Sequence, residues 1–193
     1  MIVLASKSPR RKELLKNITS DFITYDSKID ESLSFSKNNP RDIVRDIAKR
    51  KALKARSIYP NELIIAADTI VLFDNEIIGK PKDKEDAKRI LKHLSNNTHL
   101  VITSYTIIFK EKIIQNEVES RVVFNDLSDD LITRYVNSSS PLDKAGAYGI
   151  QDNGTYPIVR SYFGSYENII GFPIREIEID LLKNKSDLKI AYN

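Results

Sequence analysis

The stretch "LASKSPRRKELL", residues 4–15, sets Ser6, Ser8, Pro9, Arg10 and Arg11 where a short apolar segment gives way to a helical pattern. A helix N-terminus offers unpaired backbone N–H groups and the positive end of a dipole, and both favour an anion. Ser6 and Ser8 could add hydroxyl donors, while Arg10 and Arg11 carry planar forks that match phosphate oxygens. Charge-assisted hydrogen bonds of this kind contribute roughly 1.5–3 kcal/mol each. The plainer alternative is a capped helix with two solvated arginines, and spacing alone leaves both open.

Asp68 is the second candidate. A carboxylate inside "LIIAADTIVLF" must be paired, bind a metal, or sit where its strand opens towards a ligand. A metal-bridged carboxylate there could activate water for attack on phosphorus; otherwise Asp68 ends the strand and bonds nearby backbone. Lys80 stands between Gly79 and Pro81 in "GKPKD", so its backbone is restrained and its ammonium can be aimed. Lys51, in "AKRKA", lies among other basic residues and by itself reads as part of a solvated helix face. Asp30 and Glu31 are loop charges, or one of them is a second metal carboxylate. In "DKAGAYGIQ", Gly146 and Gly149 would let backbone approach a ligand, and Gln151 carries both a donor and an acceptor, as the edge of a base requires. A tight turn is the alternative there. His93 and His99 stand in no metal-ligand spacing. The chain shows no Walker A pattern, no nucleophile elbow and no Rossmann fingerprint.

The elements that must position these residues alternate between strand and helix. "IVLA" reads as a short buried strand and "SPRRKELLKNI" as a helix, with Ser8 as N-cap, Pro9 at the first helical position and Leu14, Leu15 and Ile18 on its apolar side. "FITYDS" alternates like a strand, and "ESLSFSKNN" reads as an exposed loop. From Pro40 a helix is expected with Ile43, Val44, Ile47, Ala48, Ala52 and Leu53 on one face. "ELIIAADTIVLFDNEIIG" reads as one nearly continuous strand, and "KEDAKRILKHL" as a helix. Strands follow at "HLVITSYTIIF" and around "VESRVVF". Next come a helix in "FNDLSDDLITRYVNS" capped by Ser128 or Asp126, the glycine-rich loop, a strand near "YPIVRS", and a helix after "GFPIREIEIDLL". The polar tail "KNKSDLKIAYN" reads as frayed. This alternation makes the fold class α/β, and no internal repeat or Pro/Ser linker interrupts it.

Composition bounds the function. With 193 residues, 41% of them hydrophobic, the chain can bury a core as one domain or as two lobes sharing it. Its net charge of +3 comes from nearly balanced acids and bases, which argues against a broad nucleic-acid stripe. There is no cysteine, hence no disulfide, thiolate metal site or cysteine nucleophile. No apolar run approaches a membrane span, and "MIVLAS" gives way at once to "KSPRRK", unlike a signal peptide. A cytoplasmic protein without membrane or nucleic-acid partners is the expectation.

Taken in order, "LASKSPRRKELL", "AADTIV", "IIGKPKDKEDAKRIL", "DKAGAYGIQ" and "SYENIIGFPI" resemble the motifs of the Maf family, once named for septum formation. The resemblance runs from Met1 to about Glu178. It implies a single domain over residues 1–193, an elongated mixed-sheet α/β fold with two lobes around a central cleft, similar to inosine triphosphatases. It also implies a nucleoside triphosphate pyrophosphatase that cuts between the α- and β-phosphates, releasing a nucleoside monophosphate and pyrophosphate with the help of Mg²⁺ or Mn²⁺. By the same resemblance Asp68 is the catalytic proton acceptor and a metal ligand. Glu31 falls on a polar cleft position and is a candidate second metal ligand. Arg10, Thr69 and Gln151 match positions tied to substrate choice, and Ser8, Arg11, Lys51 and Lys80 fall on polar cleft positions that bind substrate. "GAYGIQ" resembles the branch that prefers dTTP and UTP, with modified pyrimidine nucleotides as further candidates. Family members are often dimeric, so a homodimer is a candidate assembly. A non-catalytic nucleotide-binding regulator of cell division is the rival reading.

Overall fold

The computed structural model describes residues 1–37, 39–138 and 141–184. Among these, seven strands and six α-helices alternate: β1 (Ile2–Leu4), α1 (Pro9–Leu15), β2 (Phe22–Thr24), α2 (Pro40–Ile58), β3 (Leu63–Phe73), β4 (Glu76–Ile78), α3 (Lys84–Leu94), β5 (Thr98–Phe109), β6 (Lys112–Phe124), α4 (Asp129–Ser138), β7 (Val159–Phe163), α5 (Tyr166–Ile170) and α6 (Ile174–Lys183). The strands form one mixed sheet in the order β2-β1-β3-β5-β6-β7, with β4 paired to β3. β1 lies parallel to both β2 and β3, whereas β3/β4 and β6/β7 are antiparallel. The α/β class expected from the alternation is the observed one.

The chain divides into two compact units. One comprises residues 1–68, 103–118 and the chain from Gly171 onward; the other comprises residues 69–102 and 119–170. The first has its core on both faces of β1 and β3. Leu4, Leu15, Ile65, Tyr105, Phe172 and Ile177 fill one side, and Val3, Ala5, Ala52, Ala55, Ile64 and Ala66 the other. Strands buried on both faces lose the polar alternation of a half-exposed sheet, which is why "LIIAA" reads as continuously apolar. The second unit packs α3 and α4 around Leu91, Leu94, Phe124, Tyr135 and Tyr148.

Several expectations are corrected. "ELIIAADTIVLFDNEIIG" is a hairpin, because Asp74 and Asn75 take positive φ values of 48° and 63° and turn β4 back onto β3. "ESLSFS" is a 3₁₀ turn over Glu31–Ser36 rather than a loop; Asp30 accepts from the Ser32 N–H at its start, and Ser34 is buried. Leu53 does not share the buried face of α2 and is 43% exposed. Six residues beyond Ile47 the helix has turned by about 240° past that face, at 3.6 residues per turn. Ala55 completes the face instead. β6 begins earlier than expected, at Lys112, and the short helix α5 was not anticipated. Residues 185–193 of the polar tail lie outside the described residues.

Candidate functional site

In the first unit the chemistry gathers where β1 feeds α1 and where β3 ends its buried run. Ser8 caps α1 as expected: its Oγ accepts from the Arg11 N–H at 3.4 Å, and Pro9 occupies the first turn. The helix is only seven residues long, so little macrodipole develops, and attraction for an anion here must come from side chains. Arg11 points inward. Its Nε donates to Gly171 O at 2.8 Å and its Nη1 to Ala67 O at 2.7 Å, with Ser6 Oγ at 3.5 Å. The guanidinium therefore ties α1 to β3 one residue before Asp68. Arg10, half-buried beside it, adds a second positive charge that opposes Arg11's own.

Asp68 follows five fully apolar, buried positions of β3, and its side chain is only 14% exposed. Burial pushes its carboxyl above the ordinary carboxylate range, against the opposing pull of Lys51 and Arg11. An isolated carboxylate in this place would cost several kcal/mol, roughly, and the two cations offset that cost. Lys51 is the main partner: its Nζ lies 2.7 Å from Asp68 Oδ1 and 2.7 Å from Glu31 Oε1. The solvated-face reading of Lys51 is thereby corrected. Its side chain is 15% exposed, because this position lies on the buried face of α2, four residues after Ile47 and four before Ala55. Glu31, at the start of the 3₁₀ turn, stays half exposed at 50%.

The second unit holds Thr69, Lys80 and Gln151. Thr69 is half-buried on β3. Lys80 is exposed after β4, and the glycine-rich loop is stitched to this turn by a bond from Gly146 N–H to Gly79 O at 3.1 Å. Gly146 needs its glycine, since φ is +72° and an added Cβ would meet Val71 at 3.2 Å. Gln151 is exposed at the start of a 3₁₀ turn over Ile150–Gly154. Two tyrosines hold that loop. Tyr135 Oη accepts from Gly149 N–H at 2.9 Å and donates to Asp152 Oδ2 at 2.8 Å, and Tyr148 Oη lies 2.8 Å from His99 Nε2. His99 remains neutral in the core, its pKa lowered by burial to about 4.

Ser8, Arg10, Arg11, Glu31, Lys51 and Asp68 thus share one unit, with Glu31, Lys51 and Asp68 in direct contact. No group of three or more His, Cys, Asp or Glu side chains suited to a metal forms among the described residues. Asp68 and Glu31 nevertheless reach one point of positive charge at 2.7 Å each, and one or two carboxylates with substrate phosphates suffice for Mg²⁺. Sequence reasoning passed over Ser34, Asp46 and Arg50. The signal available for the last two was the i,i+4 spacing of an acid and a base immediately before Lys51. No described helix is long and apolar enough to cross a membrane.

The model of Maf-like proteins matches residues 1–184. A protein of Thermosipho africanus named dTTP/UTP pyrophosphatase is 46% identical over 176 residues, 91% of this chain and 89% of that protein. Proteins of the same name from Pyrococcus abyssi and Bacillus mycoides are 42% and 40% identical, covering 95% and 98% of this chain and the same shares of their own lengths.

Proposed function

Because this chain belongs to the Maf family, we propose that it hydrolyses dTTP and UTP to the nucleoside monophosphate and pyrophosphate. The observation that carries this reading is the Asp68 carboxylate, buried at the end of an apolar run and held by the cations Lys51 and Arg11. Asp68 orients a water and accepts its proton as the water oxygen bonds to the α-phosphorus. The bond from that phosphorus to the oxygen bridging to the β-phosphate breaks, and pyrophosphate leaves with the electron pair. A carboxyl whose proton affinity is raised by burial is better matched to this task than a solvated one. The rest of the acceleration is positioning and charge neutralisation, for which Arg10, Arg11, Lys51 and Lys80 supply cations and Ser8 a hydroxyl. Glu31 and Asp68 would hold a divalent cation, Mg²⁺ or Mn²⁺, which would neutralise phosphate charge. Thr69 and Gln151 select the substrate: an amide can donate to a carbonyl oxygen of uracil or thymine and accept from N3–H.

Incubation with UTP and Mg²⁺, followed by identification of products, tests the reading. UMP with pyrophosphate is expected. UDP with phosphate would assign a different phosphohydrolase, and binding without turnover would favour a regulator.

A further inference from the structure

Ser34 is fully buried although its neighbours in the same turn, Leu33 and Phe35, are 62% and 55% exposed. The turn over Glu31–Ser36 is not held by an apolar anchor at those two positions. It is held by polar tethers to α2. The Ser34 hydroxyl donates to Asp46 Oδ2 at 2.7 Å and accepts from Arg50 Nη1 at 3.0 Å. Asp46 and Arg50 stand one helical turn apart with 4.0 Å between their charged atoms, and Lys37 Nζ lies 3.9 Å from Asp46. At the other end of the turn Glu31 reaches Lys51, the residue after Arg50.

We infer that Ser34 is a positioning residue: clamped between Asp46 and Arg50, its hydroxyl fixes the turn so that the Glu31 carboxylate sits on Lys51 and faces the charge of Asp68. An ion pair to a half-exposed carboxylate is among the weakest of contacts and cannot order a polar turn by itself. A fully buried hydroxyl bonded to two charged groups is a stronger tether, since losing it removes a charge-assisted hydrogen bond from each of them. Because α2 carries Asp46, Arg50 and Lys51, a single rigid element sets the clamp and the ammonium in register. The inference deepens the proposed function and rests on Glu31 acting there.

A double-mutant cycle tests it. Ser34→Ala is expected to slow pyrophosphate release from dTTP by about tenfold, and to add almost nothing in a Glu31→Gln background. Equal slowing in both backgrounds would overturn the inference, since a general loss of stability acts whether or not Glu31 is charged. A second readout needs no turnover: acetylation of Lys51 in the ligand-free protein, followed by mass spectrometry. Ser34→Ala and Glu31→Gln are each expected to accelerate it to a similar extent, without further gain when combined. Lys51 labelling at the wild-type rate in Ser34→Ala would also overturn the clamp. Wild-type protein that releases no pyrophosphate would instead defeat the proposed function, while the labelling still decides the clamp. Should Ser34→Ala fail to fold, Asp46→Ala, at a partly exposed position, takes its place with the same expectations.

Discussion

The two units each bury polar groups, and they do so by opposite means. Around Asp68 in the first unit the groups are ions: Lys51 lies between Asp68 and Glu31, and Arg11 lends a further charge. Around the Gln151 loop in the second they are mostly neutral: a histidine beside a tyrosine, and a second tyrosine bridging a backbone N–H to Asp152. Ions taken out of water are expensive and stay only where several of them balance. Neutral hydroxyls and rings order a loop at much lower cost. The first arrangement suits the handling of a charged reacting group, the second the holding in one shape of the loop proposed to read the base.

The largest expected effect comes from removing the central ion. Asp68→Asn keeps the shape and hydrogen-bonding capacity of the side chain but cannot accept a proton from water. Turnover of dTTP is expected to fall by about 10²–10⁴-fold with the fold intact, as pyrophosphate release and circular dichroism would record. Near-wild-type turnover would break the comparison, because the ionic cluster would then be structural.

The second unit answers to acid instead. The folded pKa of His99 is about 4, below its ordinary 6.5. As pH falls from 6.5 the unfolded chain takes up a proton that the folded chain refuses until about pH 4, so stability is lost across that window and is fully present above it. The loss attributable to His99 is about 3 kcal/mol. His99→Gln retains a partner for the Tyr148 hydroxyl without titrating. Urea unfolding at pH 7 and pH 4 should therefore show a smaller acid loss in the variant. Identical losses would mean that the core histidine is not what makes this unit acid-sensitive.

How much of this was legible in the sequence depends on which physical signal carried it. Ser8 and Pro9 announce their cap through local chemistry, and Asp68 stands out against its apolar neighbours. Lys51 did not stand out. Periodicity does set it on the apolar face of α2, four residues after Ile47 and four before Ala55, but the bases around it in "AKRKA" masked that position. Ser34 was hidden for a similar reason: a serine in a polar stretch carries no signal that Asp46 and Arg50, distant in sequence, will bury it. The hairpin at Asp74 and Asn75 was missed because the apolar run resumes beyond it, although paired Asp and Asn favour such a turn.

A smaller effect probes how the loop is held. Tyr135→Phe removes the hydroxyl that serves both Gly149 and Asp152 while keeping the ring in the core. The expected cost is about 1–2 kcal/mol in unfolding free energy. Hydrogen exchange should report faster opening at the Gly149 amide, with the amides of β1 and β3 unaffected. Exchange that quickened equally in both units would show that they do not respond independently.

The smallest effect expected, Gln151→Ala, bears most directly on recognition. Gln151 is exposed, so any bond it makes to a base replaces one to water, and the net gain is about 1 kcal/mol. The loop limits where its amide can go: Gly149 lies so near that an added Cβ there would sit 3.2 Å from Gln151 Oε1 and 3.0 Å from Asp152 Oδ2. A pyrimidine with a carbonyl beside N3–H satisfies both ends of that amide, whereas cytosine, whose bare N3 accepts beside an amino group that donates, presents the reverse order. The ratio of kcat/KM for UTP over CTP should then fall by about three- to tenfold in Gln151→Ala, with kcat for UTP nearly unchanged. A fall in kcat with the ratio preserved would place Gln151 among the groups that serve the reacting phosphate. The proposed division between an ionic cluster around Asp68 for chemistry and a neutrally held Gln151 loop for recognition would not survive that result.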